Sequence, residues 1–139
     1  MVKEALANAV YHRSYEIWEP LEVRILPYGV TIASYPGPDR SVDIDDLRTG
    51  HGVTRRYRNR RIGELLKELN LTESRGTGIP KILRAIKKNG SPLPVFERDE
   101  DRTFFVARFP IHPKALHRIT KEERAEPEEP STKSGPSLD

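Results

Sequence analysis

The chain has 139 residues, no cysteine, 32% charged residues and a formal net charge of +3; this is one domain's length, and it excludes disulfides, thiolate nucleophiles and cysteine-based zinc sites. No apolar run approaches the ~18 residues of a membrane span, the four histidines show no HExxH spacing, and the opening MVKEALANAV lacks a secretory-signal pattern, so the cytoplasm is the expected location. The small net charge conceals a block: residues 54–89 carry 11 basic and 3 acidic groups, net +8, whereas residues 1–53 carry 5 and 8, net −3. Such a block suits a polyanion, either a nucleotide's phosphates or a nucleic acid, and equally a solvated helical face.

Residues 3–13, KEALANAVYHR, are good helix formers that set Leu6, Ala9 and Val10 on one stripe with Ala5 beside it. No Ser, Thr or Asp precedes this helix as a cap, which points to a domain truncated at its N-terminus. Runs 21–26 and 30–34, joined by Pro27-Tyr28-Gly29, read as a β-hairpin. Residues 35–59 then turn to Pro, Gly, Asp and Arg, with one short helical turn at 43–47; so long a connection is expected to be a functional lid or a mobile loop. Two amphipathic helices follow, 60–69 with Ile62, Leu65, Leu66 and Leu69, and 79–88 with Ile79, Ile82, Leu83 and Ile86, the second stopped by Asn89-Gly90. A second hairpin turns at 99–102 and returns with Phe105, Ala107 and Phe109 on one face. The tail, 111–139, has no aromatic residue and is rich in Glu, Pro, Ser and Thr, so disorder is expected there. Residues 1–110 are left to fold. Segregated hairpins and helices give an α+β fold, a two-layer α/β sandwich in which a small mixed or antiparallel sheet of two hairpins is covered on one face by about three helices.

Glu4 and Asn8 stand four apart, hence on one helix face. A carboxylate and a carboxamide so placed can polarise a water and offer a hard oxygen to Mg²⁺, and His12 continues the line one turn on; an ordinary polar helix edge has the same spacing. In the segment ESRGTGIP (73–80), Gly76 and Gly78 let the backbone approach a ligand closely, Thr77 offers a hydroxyl and Arg75 can fork onto phosphate. The chain then runs straight into a helix whose free N–H groups favour an anion. A helix–helix turn that needs glycine accounts for the same residues. No Gly-Lys-Ser/Thr follows, so this is not a P-loop, and a helix rather than a strand precedes it, so it is not a dinucleotide fingerprint. Residues 60–110 also have the layout of a winged helix, with Lys81, Arg84 and Lys88 on the exposed side of a DNA-recognition helix and Arg98 and Arg102 at the wing tip.

Taken together, EALANAVYHRSY (4–15), SYPGP (34–38), LRTGHGVTRRYRNRRIGELLKEL (47–69), ESRGTGIPKIL (73–83) and FFVARFP (104–110) resemble a divergent GHKL-type, Bergerat-fold ATPase module. That module stands at the C-terminus of RecG-like ATP-dependent helicases and Schlafen AlbA-domain transcriptional regulators. The resemblance spans nearly all of residues 3–110 and implies ATP and Mg²⁺ as cofactors. In that pattern Asn8 holds the metal, Glu4 is the general base, Gly76, Thr77 and Gly78 wrap the phosphates, Gly37 is the surviving glycine of a DxGxG motif, and Thr103 lies near the adenine; His12 and Arg75 extend the binding set. The departures are Tyr35, where the motif has the Asp that reads the adenine amino group, and Arg102, where a glycine is expected. The implied function is a nucleotide-binding module, a weak or degenerate ATPase and not itself a helicase motor, belonging to a larger DNA-associated or transcription-regulating protein. DNA would be reached through an upstream domain or the basic block. A further reading is a non-catalytic fold kept for homo-oligomerisation.

Overall fold

The computed structural model describes residues 1–51, 57–72 and 77–123. In chain order these form α1 (Val2–His12), β1 (Glu22–Leu26), β2 (Gly29–Ser34), α2 (Ile44–Thr49), α3 (Arg60–Glu68), α4 (Gly78–Asn89), β3 (Val95–Arg98), β4 (Phe105–Pro110) and α5 (Pro113–Glu123). The strands make one antiparallel sheet in the order β1-β2-β4-β3, so the sequence-based α+β sandwich is the fold, with an antiparallel sheet.

Period-two alternation separates the two faces of the sheet. The register sets Val30 against Phe109, Ile32 against Ala107, Ser34 against Phe105, and Phe96 against Ala107, and this face packs under the helices. Ile82 and Ile86, one turn apart on α4, are 0% and 1% exposed there, with Ala5 and Ala9 of α1 beside them. The other face carries the charges, paired as Arg24 with Glu22 and Arg108 with Glu97.

The stripe of α4 is buried as its spacing predicts, whereas those of α1 and α3 depart from it in part. On α1 the buried residues are Glu4, Ala5, Ala7 and Ala9, while Leu6 is 38% exposed. Short side chains on the packed face let α1 lie close against α4, which sets the distance between helix axes. On α3 only Leu66 is buried, and Leu65 and Leu69 are exposed. Its seam with α1 runs through Gly63, where an added Cβ would lie 2.5 Å from the Tyr11 ring, so the leucine stripe is turned partly outward.

Between β2 and α3, where the sequence suggests a lid or mobile loop, the described residues are anchored at several points. Val42 and Leu47 are buried, Asp43 caps α2 by accepting from the Asp45 N–H (2.7 Å), and Gly50 closes it in the left-handed conformation. Arg102, itself left-handed at φ 56°, bolts the loop to the second hairpin: its Nη1 donates to the carbonyls of Pro38 (3.2 Å), Asp39 (2.6 Å) and Val42 (3.0 Å). Its own carbonyl accepts from the Gly37 N–H at 2.7 Å. Arg102→Ala leaves those three carbonyls without this donor, and chemical denaturation should show a loss of about 1–3 kcal/mol.

Two further expectations change. β4 pairs with both β2 and β3, so the return strand of the second hairpin is interior to the sheet and β3 is its edge, and Arg102 lies on the 38–42 loop rather than at a free wing tip. Residues 113–123, within the tail expected to be disordered, form α5: Pro113 stands in the first turn, where its missing N–H costs nothing, and His112 Nδ1 accepts from the Lys114 N–H (3.1 Å). These local start signals outweigh the tail's composition over that stretch. Residues 124–139 lie outside the described residues, and so does 52–56. Among the described residues no helix is long and apolar enough to cross a membrane.

Candidate functional site

A cavity of about 510 Å³ opens between α1, the 36–42 loop, the start of α4 and the inner sheet face, within the range of small-molecule sites. Its floor is apolar, from Ile32, Val42, Ile82, Phe96, Phe105 and Phe109; its rim is polar, from Glu4, Asn8, His12, Asp39, Arg58 and Thr77. A flat apolar group with a charged tail is the ligand shape this division favours.

The polar line on α1 enters the cavity because Ala5 and Ala9 turn toward the core and carry Glu4, Asn8 and His12 beside them. Glu4 is buried, its side chain only 9% exposed, and its Oε1 accepts an ion pair from Lys81 Nζ of α4 at 3.0 Å. Asn8 sits against the N-terminal turn of α4. An added Cβ on Gly78 would come within 2.5 Å of Asn8 Nδ2 and 2.8 Å of its Oδ1, so glycine there is what lets the carboxamide and the helix start share one wall. The Thr77 side chain does not cap the first turn of α4.

At the other end of α1, the carbonyls that a helix terminus leaves over are gathered by side chains. Tyr15 donates to Val10 O (2.9 Å), Asn59 Nδ2 to Tyr11 O (2.9 Å) and Arg13 O (2.6 Å), and Arg58 Nη1 to His12 O (2.8 Å). Arg58 Nη2 reaches on to Gly37 O at 3.2 Å and so ties α1 to the 36–42 loop across the cavity mouth. Gly37 is required there by space: an added Cβ would meet Phe104 O at 2.7 Å and Arg102 O at 2.9 Å.

His12 lies under an aromatic cluster, its ring 4.8 Å from Tyr11 and 5.8 Å from Tyr57, which stack on each other at 5.2 Å. Burial, and secondarily the Arg58 guanidinium, lower its pKa to about 4, so the imidazole is neutral at physiological pH. Because the folded-state value lies below the unfolded one, the unfolded chain binds the extra proton between about pH 6.5 and 4. Stability should fall through that window on acidification, by up to about 3 kcal/mol. Denaturation at pH 7 and pH 4.5 checks this, with His12→Phe expected to flatten the slope.

Of the residues singled out in the sequence, the fold thus brings Glu4, Asn8, His12, Gly37, Thr77 and Gly78 to one cavity. Arg75 and Gly76 lie outside the described residues. Thr103 does not line the cavity; it is exposed in the turn between β3 and β4, where its hydroxyl and N–H both bond to Asp99, and the Thr103 hydroxyl, foremost among several bonds, holds the Asp99 carboxyl below its usual pKa. Lys81 is engaged with Glu4 and so does not belong to a free recognition face, while Arg84 and Lys88 remain exposed. Tyr11, Tyr57 and Arg58 line the cavity without having been marked by spacing alone, and Lys81, marked for a DNA-facing side, is paired with Glu4. The Arg58-Asn59 pair ahead of an apolar helix was the available signal, and its work is to close α1 and fix the loop. No group of three or more His, Asp or Glu side chains able to hold a metal occurs among the described residues.

Comparison with known proteins bears on this arrangement. Residues 19–108 match the family model HATPase_c_4, described as "Putative ATP-dependent DNA helicase recG C-terminal"; the match takes in Gly37 and the Thr77-Gly78 turn and begins after α1. No curated protein matches the chain. Among solved structures, the chain is similar to the crystal structure of the DIP2311 protein from Corynebacterium diphtheriae, with a TM-score of 0.64 and 22% identity. That similarity, which concerns the fold, covers 86% of this chain and 25% of the other, so the chain spans about a quarter of that protein's length. On the family match over 19–108, the chain belongs to the HATPase_c_4 family, the RecG C-terminal domain family.

Proposed function

We propose that the cavity is a nucleotide site that takes ATP with Mg²⁺, within a larger RecG-like protein that acts on or regulates DNA. The observation that carries this reading is the packing of Asn8 against Gly78: it places a hard-oxygen donor on α1 beside the N-terminal turn of a helix, at the edge of an apolar floor. Helix N-termini favour phosphate, and the apolar floor suits a purine ring.

The residues fit a metal that arrives on the nucleotide. Mg²⁺ retains several waters and takes one or two protein ligands plus substrate phosphates, a role within reach of Asn8 without a dedicated carboxylate cage. When bound, the ion would neutralise phosphate charge and polarise the terminal phosphoryl group. Glu4 is the residue able to accept a proton from an attacking water. Its pairing with Lys81 orients the carboxylate and also occupies one of its oxygens, which suits slow turnover rather than fast hydrolysis. At the base end, Tyr35 supplies no carboxylate; Asp39, whose Oδ1 accepts from the Ser41 N–H at 2.9 Å, is the acidic residue of that loop on the cavity wall.

Calorimetric titration of the chain with ATP tests the reading: binding that strengthens with Mg²⁺ and weakens about tenfold in Asn8→Ala, the worth of one lost polar contact, is the expected result. No heat at millimolar nucleotide would overturn it. DNA binding through Arg84 and Lys88 is a separate arm, read as a duplex-induced shift that falls steeply with salt and is reduced by substituting both residues.

A further inference from the structure

The two edges of the sheet are treated differently. β3 is four residues long, preceded by Pro92 and Pro94, and α2 packs against it, with Arg48 Nη2 donating to Phe96 O at 3.4 Å. These are the usual ways of keeping an edge strand from pairing. β1, the other edge, is also bracketed by prolines, Pro20 and Pro27, but it is one residue longer and has no proline or glycine from Leu21 to Leu26.

Its side chains are also unusual. Val23 and Ile25 pair with Ile32 and Val30, so they stand on the inner, apolar face of the sheet, yet they are 42% and 82% exposed. Leu21, two residues before Val23, packs partly against the core. Glu22 and Arg24 project from the opposite face. The segment Leu21-Glu22-Val23-Arg24-Ile25 is therefore complementary to its own reverse: reversed about Val23, acid meets base and apolar meets apolar.

The backbone agrees with that reversal. The two-residue turn Pro27–Tyr28 makes Leu26 and Gly29 the closing pair of the first hairpin. The N–H and C=O groups of Leu26, Arg24 and Glu22 then point at β2, and those of Ile25 and Val23 point out of the edge. A second strand meeting β1 antiparallel with Val23 opposite Val23 would form the hydrogen-bonded type of pair at the centre. Leu21 would face the partner's Ile25, and Glu22 the partner's Arg24, each twice. Centring on Arg24 instead would oppose two arginines, an unfavourable cross-strand pair.

We infer that β1 is a self-association edge, and that its partner is β1 of a second copy of this chain, the two sheets joining antiparallel about Val23 into one eight-stranded sheet. The pairing covers Ile25 and satisfies the outward backbone groups. It is independent of whether the cavity binds nucleotide.

Sedimentation velocity or light scattering on the 139-residue chain tests it through charge exchange. The unmodified chain should dimerise with concentration. Glu22→Arg and Arg24→Glu should each raise the dissociation constant by at least about tenfold, because both symmetric pairs become like-charged. An equimolar mixture of the two variants should dimerise again, since each then meets its opposite, and the double variant E22R/R24E should behave as the parent. Thermal melts read alongside confirm that each variant is folded. A chain monomeric at all concentrations, its edge then being covered by another domain or protein, would overturn the inference. So would dimerisation untouched by the single reversals, or a mixture that stays monomeric.

Discussion

Gly78→Val should lower ATP affinity by about 100-fold or more, equivalent to about 2.7 kcal/mol, with little effect on folding. The separation of the two effects follows from what the new side chain meets. Its Cβ would lie 2.5 Å from Asn8 Nδ2, the far end of a side chain that can swing away, so the helices keep their packing and the cost in stability should stay near 1 kcal/mol. The carboxamide, however, must leave the wall it shares with the α4 N-terminus, and the valine takes the space a phosphate would approach. Asn8→Ala removes the carboxamide without filling that space, so its effect should be smaller. Calorimetry gives the affinities and thermal denaturation the stabilities; a Gly78→Val chain that binds like the parent would remove the basis for placing phosphates at this turn.

Phe96→Ala should have the largest effect on stability, about 3–5 kcal/mol. Phe96 is 1% exposed, stacks on Phe105 with ring centres 5.9 Å apart, and stands where β3, β4 and the cavity floor meet. Helices above and strands beside it cannot all collapse into the space of a lost ring. For a domain of about 100 residues that loss lowers the melting temperature by more than about 10 °C. Calorimetric or circular-dichroism melting checks it, and a shift of only a few degrees would mean that the cavity side of Phe96 is already loose.

Much of the fold was legible because its signals are local. Alternation in 21–26, 30–34 and 104–110, helical spacing in 60–69 and 79–88, and the Asn89-Gly90 stop each depend on a few neighbouring residues. The orientation of the helices was less accessible. On α1 the spacing put Leu6, Ala9 and Val10 on one stripe with Ala5 beside it; Ala5 and Ala9 are buried against α4 and Leu6 is left outside, a choice that depends on a partner far away in sequence. The same turn of the helix brought Glu4, Asn8 and His12 into the cavity together. The 35–51 stretch looked like free loop because its anchors, Arg58 and Arg102, act through backbone carbonyls, which carry no side-chain pattern. Thr103 was placed by resemblance alone, and Asp99 four residues earlier draws it into the hairpin turn instead.

A nucleotide in the cavity would lie between α1, the 36–42 loop and the start of α4. Backbone amide shifts on titration with ATP and Mg²⁺ test this most directly. The largest changes should fall at Glu4 to His12, at Gly37 to Val42 and at Thr77 to Ile79. Changes confined to the exposed basic side of α4, around Arg84 and Lys88, with those segments unmoved would contradict it.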